Sequence, residues 1–210
     1  MSENAAVPDT TPAYPPAPWH MHGQLWLSIL KVRDGVDARR PAGMYGVAMV
    51  DYQAPSPLTY GELLVGRVVK EPVKGVTITD IWVDSPASVA GGREIWAIPK
   101  DLCEFSVEAS RRGPFARTDW TMTTGGVQIA TASFADVSAL APRTKFQANT
   151  WQPGIAETNF EDRSSPLRGS AKALLARGRW TFNPEGPLAW LHGARTVASF
   201  RMVDFSMVVD

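Results

Sequence analysis

Apolar and polar positions alternate with a period of two along much of this chain, the mark of β-strands. Gln24 to Val32 is a β-rich apolar run, and Met44 to Tyr52 reads as a second strand. Leu58 to Val69 carries Tyr60, Glu62, Leu64 and Val68 on one alternating face. Val76 to Val83 sets Val76, Ile78, Asp80 and Trp82 against Thr77, Thr79, Ile81 and Val83. Both of its faces carry apolar groups, as in a strand covered on two sides. Ser85 to Gly92 is small and turn-like, or a short helix. Further strands are predicted at Phe105–Glu108, Asp119–Thr123, Val127–Ala135, Arg179–Phe182 and Arg195–Val209, with Gly125-Gly126 as a hairpin turn. Ser170 to Arg177 reads as a short helix or a strand. Residues 149–169 lack a clear period and are expected to form a long loop over a pocket mouth. Many modest strands joined by Gly/Pro turns predict a mainly β fold, an antiparallel barrel or sandwich with few short helices.

The arm at 1–18 departs from this pattern. Prolines at 8, 12, 15, 16 and 18 deny it a helix or a ladder, so it is expected to be extended and partly disordered. Tyr14 and Trp19 are placed to pin its end. Residues 19–210 then form one domain, a length that single β domains reach.

Composition narrows the function by exclusion. Lys+Arg and Asp+Glu balance at 21 each, which offers no electrostatic case for nucleic acid or an anionic membrane surface. Cys103 is the sole cysteine, consistent with a cytoplasmic protein, and reads as a small buried hydrophobe. No apolar run approaches membrane-spanning length and no secretion signal is visible. His20, His22 and His192 lack the partners of a zinc site. Neither phosphate-binding glycine motif nor G-x-S-x-G occurs. Neither a metal nor a cofactor is expected.

The chemistry therefore falls on Lys100, at the end of Gly91-Gly92-Arg93-Glu94-Ile95-Trp96-Ala97-Ile98-Pro99-Lys100. A lysine after an apolar run is either solvated at a strand end or an amine held in an apolar pocket, its pKa lowered for attack on a carbonyl. Glu62, inside an apolar strand, is either outward-facing, paired with Arg93, or turned in beside the lysine as a proton carrier.

The segment Gly92-Arg93-Glu94, a short apolar run, then Pro99-Lys100 closely resembles the Schiff-base segment of the acetoacetate decarboxylase family. Tyr14-Pro15-Pro16-Ala17-Pro18-Trp19 resembles the family's proline-rich entry. Tyr60-Gly61-Glu62 resembles its Tyr-x-Glu. Pro187-Leu188-Ala189-Trp190-Leu191 and the strand after it resemble its C-terminal end. The resemblance implies a closed, cone-shaped antiparallel β-barrel, assembled into homo-oligomers, acting as a lyase on a small keto acid. It makes Lys100 the Schiff-base amine and Glu62 the carboxylate facing it. Aldolase, dehydratase or cyclase chemistry on a larger keto acid, or a non-catalytic ligand-binding barrel, are the alternatives.

Two positions depart from the family pattern. The family continues Pro-Lys-Lys where this chain has Pro99-Lys100-Asp101. Acetoacetate decarboxylase is itself a standard instance of a lysine activated by desolvation or by a neighbouring cation, and here desolvation alone is left to lower the pKa. Asp101 is expected to point away from the pocket. The family's first-strand arginine falls by spacing at Gln24, which would orient a substrate oxygen without offering charge. Trp96, Ile98 and Phe105 are expected to line the pocket.

Overall fold

A computed structural model describes residues 13–137 and 141–210. Most of the proline-rich arm, 1–12, lies outside the described residues, and the expectation of disorder there lies outside them too. The described elements are β1 (Trp19–Val32), β2 (Gly43–Gln53), β3 (Tyr60–Val69), β4 (Gly75–Val83), α1 (Pro86–Trp96), β5 (Asp101–Leu102), β6 (Glu104–Arg112), β7 (Phe115–Thr124), β8 (Val127–Val137), β9 (Arg143–Gln152), β10 (Arg163–Phe182) and β11 (Arg195–Val209). The chain is mainly β, as the alternation predicts.

Strand order runs β11-β1-β2-β3-β4-β9-β10-β8-β7-β6, and β11 also pairs with β10. The 20-residue β10 belongs to both parts of this arrangement. Its first half pairs with β9 and β11, and its second half, from Ala176, pairs with β8. The pairing is not antiparallel throughout. β4 runs parallel to β5, and it meets β9 in parallel at Val76–Thr150.

Strand alternation builds two apolar layers from β1–β4. On β2, Val47 and Met49 point to one side and pack with Trp120, Met122 and Phe134 of β7 and β8. Ala48, Val50 and Tyr52 point to the other side and line a cavity. Both faces of these strands are therefore apolar, and Val47, Met49 and Val50 are fully buried. Gly125 and Gly126 make the β7–β8 hairpin with φ of 56° and 78° between the paired Thr124 and Val127. Positive φ at both central residues is what a two-residue turn of this hand requires.

One expectation fails here. Residues 149–169 are the end of β9, a connection over 153–162 and the start of β10, not one long loop. Pro166 lies within β10. It stands one residue before pairing with β11 begins at Leu167, an edge position where proline is accommodated. Ser170 to Arg177, expected as a short helix or a strand, is strand, because pairing with both neighbours overrides its helix-forming composition. Among the described residues no helix is long and apolar enough to cross a membrane.

Candidate active site

The stretch that carries Lys100 is a helix and its exit, not the end of a strand. Ser85 caps α1, its side chain accepting from the Ser88 amide at 3.2 Å, and Pro86 occupies the first turn, where its missing N–H is no loss. The helix stops at Ala97, whose φ of 54° is left-handed, and the Ile98 amide donates back to the Gly92 carbonyl at 3.0 Å. Pro99 prevents resumption. The Lys100 amide donates to the Ile98 carbonyl at 2.7 Å, and Arg93 Nη1 donates to the Lys100 carbonyl at 2.9 Å. Arg93 is anchored in turn by Glu157 at 2.6 Å, in a short 3-10 turn at Ala156–Thr158. The Arg93 hydrogen bond holds the Glu157 carboxyl below the usual range.

The two glycines of α1 are spacing devices. A Cβ at Gly91 would lie 2.8 Å from the Trp19 ring, and one at Gly92 would lie 2.7 Å from Lys100 Cδ. Their absence lets the helix press against β1 and lets the lysine stem run along the helix surface. Trp19 meets Trp96 edge-on at 4.8 Å, and Tyr14 donates to Glu94 at 2.6 Å. The described end of the arm is thus pinned to the body at α1, as expected of Tyr14 and Trp19.

Lys100 is 4% exposed, as is Glu62. Its Nζ has three hydrogen-bond partners: Glu62 Oε2 at 2.9 Å, Ser88 Oγ at 3.0 Å and the Tyr60 hydroxyl at 3.2 Å. An ammonium has three protons to give, and all three are placed. Tyr52 donates to Glu62 Oε1 at 3.2 Å. Glu62 is the third residue of β3, opposite Val50 of β2 and Val83 of β4. It faces the lysine and not Arg93.

The charge state of Lys100 reverses the sequence expectation. Burial pushes its pKa down, but the Glu62 carboxylate, Tyr60 and the hydrogen bonds to both push it up further, and the net direction is upward. The Glu62 carboxylate, 2.9 Å away, is the charge that holds the direction upward. Burial also pushes the Tyr60 hydroxyl up to about 12, so it stays neutral beside the pair. Asp101 takes no part. Its side chain is 71% exposed and lies 3.6 Å from Arg93, pointing away as expected.

The cavity that receives Lys100 and Glu62 has a volume of about 420 Å³. Trp96 and Ile98 line it, as expected, with Trp19, Leu25, Val50 and Phe205 among the other walls. Gln24 and Phe105 do not. Leu25 and Leu27 face the cavity, so Gln24 and Trp26 face the opposite side of β1, and Gln24 Oε1 accepts from Arg201 at 2.6 Å there. Phe105 lies on that same far side, behind Gly61, with its ring 6.0 Å from Trp120. Family spacing located Gln24 on the right strand, but a shift of one residue inverts the face.

Sequence reasoning missed Ser88 and Tyr52. Tyr52 was recoverable, since it pairs directly with Tyr60 across the β2–β3 hairpin. Ser88 carried no signal until the chain exit folded back over the first turns of α1. Cys103 is buried, and burial raises its thiol to about 12, which leaves it inert as a nucleophile.

The family model for acetoacetate decarboxylase matches residues 30–177, well over half of the chain. The chain belongs to the acetoacetate decarboxylase family. It is 29% identical over 112 residues to acetoacetate decarboxylase 3 of Mesorhizobium japonicum, a match covering 49% of this chain and 44% of that protein. It is 26% identical over 204 residues to the acetoacetate decarboxylase of Ralstonia nicotianae, covering 84% of this chain and 76% of that one. In fold it is similar to a solved acetoacetate decarboxylase, with a TM-score of 0.60 at 16% identity over 99% of this chain and 92% of that one. It is also similar to the enduracididine biosynthesis enzyme MppR complexed with pyruvate, with a TM-score of 0.62 at 15% identity over 95% and 91% of the two chains. At these identities the structural likeness speaks for the fold alone.

Proposed function

We propose that this protein is a Schiff-base-forming lyase acting on a keto acid, with Lys100 as nucleophile and Glu62 as proton carrier. The observation that carries this reading is the buried Lys100 Nζ held 2.9 Å from the Glu62 carboxylate at the wall of an apolar cavity. Residues 19–210 act as one unit in this reading, with the strands wrapped as a closed barrel around the cavity.

The resting ammonium passes a proton to Glu62, and the freed amine adds to the substrate ketone carbon. The carbonyl oxygen leaves as water and an iminium forms. In a β-keto acid the bond to the carboxylate then breaks, its electron pair moves onto nitrogen, and CO2 departs. The first proton on Glu62 left with the carbonyl oxygen as water; Glu62 takes a second from solvent and gives it to the resulting enamine carbon, and water hydrolyses the iminium to release the ketone and restore the ammonium. Tyr60 and Ser88 hold Nζ in place. Low dielectric around the pair makes the proton transfer between them responsive to small changes of position.

A second route shares the iminium and loses a proton in place of CO2, as an aldolase or dehydratase would. The described cations of the wall, Lys100 and Lys145, serve either route.

Borohydride reduction in the presence of a panel of keto acids, read by intact mass, tests the common step. An adduct is expected on the wild type, lost in Lys100→Ala and retained in Glu62→Gln. No adduct across the panel would refute the proposal. CO2 release from acetoacetate separates the two routes.

A further inference from the structure

The cavity beside Lys100 is larger and more apolar than a four-carbon keto acid needs. Its buried polar groups gather where Glu62, Lys100, Tyr52 and Tyr60 meet, save Thr150, whose hydroxyl is spent on the Ser165 carbonyl; Thr144 and Lys145 lie at the exposed rim. Most of the remaining wall is hydrocarbon or aromatic: Met21, Leu25, Val50, Ile81, Met202 and Phe205 among others. Small residues leave room in it, Ala48 on β2 and Ala171 on β10, each nearly fully buried. The exposed members Thr144, Lys145 and Ala173 mark its open side, across β9 and β10. Acetoacetate, with about seven non-hydrogen atoms, leaves much of the 420 Å³ unfilled.

The wall also decides the character of those extra atoms. A polar group placed among these side chains would lose its water and gain no partner, which is costly. A hydrocarbon chain gains from each methylene buried.

From this geometry we infer that the substrate is a ketone bearing a long, uncharged aliphatic or aryl-aliphatic tail. The carbonyl lies at Lys100 and the tail fills the apolar cavity. The inference rests on the Schiff-base reading for the position of the carbonyl. The class of the tail stands on the cavity wall alone. A reaction that supplies such a substrate must deliver a keto group on an extended carbon chain, and one that consumes the decarboxylated product must accept a hydrophobic ketone.

A homologous series of methyl ketones tests it, from acetone to a chain of about twelve carbons. The amine adds to the ketone carbon, the carbonyl oxygen leaves as water, and borohydride delivers hydride to the iminium carbon. The protein then gains the mass of the ketone less one oxygen. The concentration giving half-maximal trapping is expected to fall about fourfold per added methylene, until the tail fills the cavity, and then to level off or rise. Ala171→Leu, or Ala48→Val should the first variant not fold, shifts the optimum to shorter ketones. Trapping indifferent to chain length, or weaker for each longer ketone, overturns the proposal, as does an optimum unmoved in a folded variant.

Secondary alkanols of the same lengths, which cannot form an imine, separate the two readings. Trp19 and Trp96 line the cavity and report occupancy by fluorescence. If no ketone is trapped at any length, the Schiff-base reading has failed. Alkanol binding then decides the cavity by itself: affinity rising with chain length upholds the apolar-tail proposal, and affinity indifferent to it refutes it.

Discussion

Lys100 and Glu62 are worth reading as one group. Each alone, buried in this cavity, would be an uncompensated charge, and removing one partner of such a pair typically costs about 3–5 kcal/mol. Together they hold one mobile proton between nitrogen and oxygen. Replacing Glu62 by Gln removes the charge that raises the lysine and leaves burial, which lowers it. The amine of Glu62→Gln should therefore be free at lower pH than in the wild type. Acetylation of Lys100 by an uncharged reagent, mapped by peptide mass across pH, should show a midpoint above the ordinary lysine value of about 10.4 in the wild type and below it in the variant. A midpoint moving upward would mean that the carboxylate is not what holds the proton.

At the scale of the element, α1 serves the site more than its own stability. Ala at Gly92 would favour an isolated helix by about 1 kcal/mol. In place, the added methyl would lie 2.7 Å from Lys100 Cδ and 2.8 Å from Cε. The stem must shift, and Nζ leaves at least one of its three partners. Gly92→Ala should keep a cooperative melt while borohydride trapping falls at least about tenfold. Unchanged trapping would show that the stem has room to spare. The same helix explains how much of this stretch was legible. The order Gly-Arg-Glu…Pro-Lys identified the lysine. A short helix over Ser85 to Gly92 was one of two readings, but its continuation to Trp96 was hidden, because Ile95, Trp96 and Ile98 read equally well as a strand and the left-handed stop falls at an alanine.

For the whole molecule, the proton inventory of the site predicts an alkaline limit. Lys100 and the Tyr52 and Tyr60 hydroxyls all hold their protons more tightly in the fold than in the unfolded chain. Below about pH 10 both states are protonated and this contribution to stability is fully present. As pH rises, the unfolded chain gives up protons that the fold still keeps, and stability is lost as the folded values are approached, about 12 for Tyr60. Melting temperature measured against pH should decline from about pH 10 upward. Tyr60→Phe should soften the decline. A flat profile across that window would contradict the burial of these groups.

The alternation of apolar and polar residues determined the β content of this protein, most of its strands and the two-sided burial of β4, because side chains on a strand can only alternate. The motif around Lys100 determined its family. Alternation cannot say which face looks inward, and a single residue of register decides it. Only the tertiary structure turned Leu25 and Leu27 into the cavity and Gln24 out toward Arg201, put Phe105 behind β3, and drew Ser88 and Tyr52 to the site. It also decided the protonation of Lys100, since a pKa depends on which charge stands a few ångströms away in space, and that neighbour, Glu62, lies 38 residues distant along the chain.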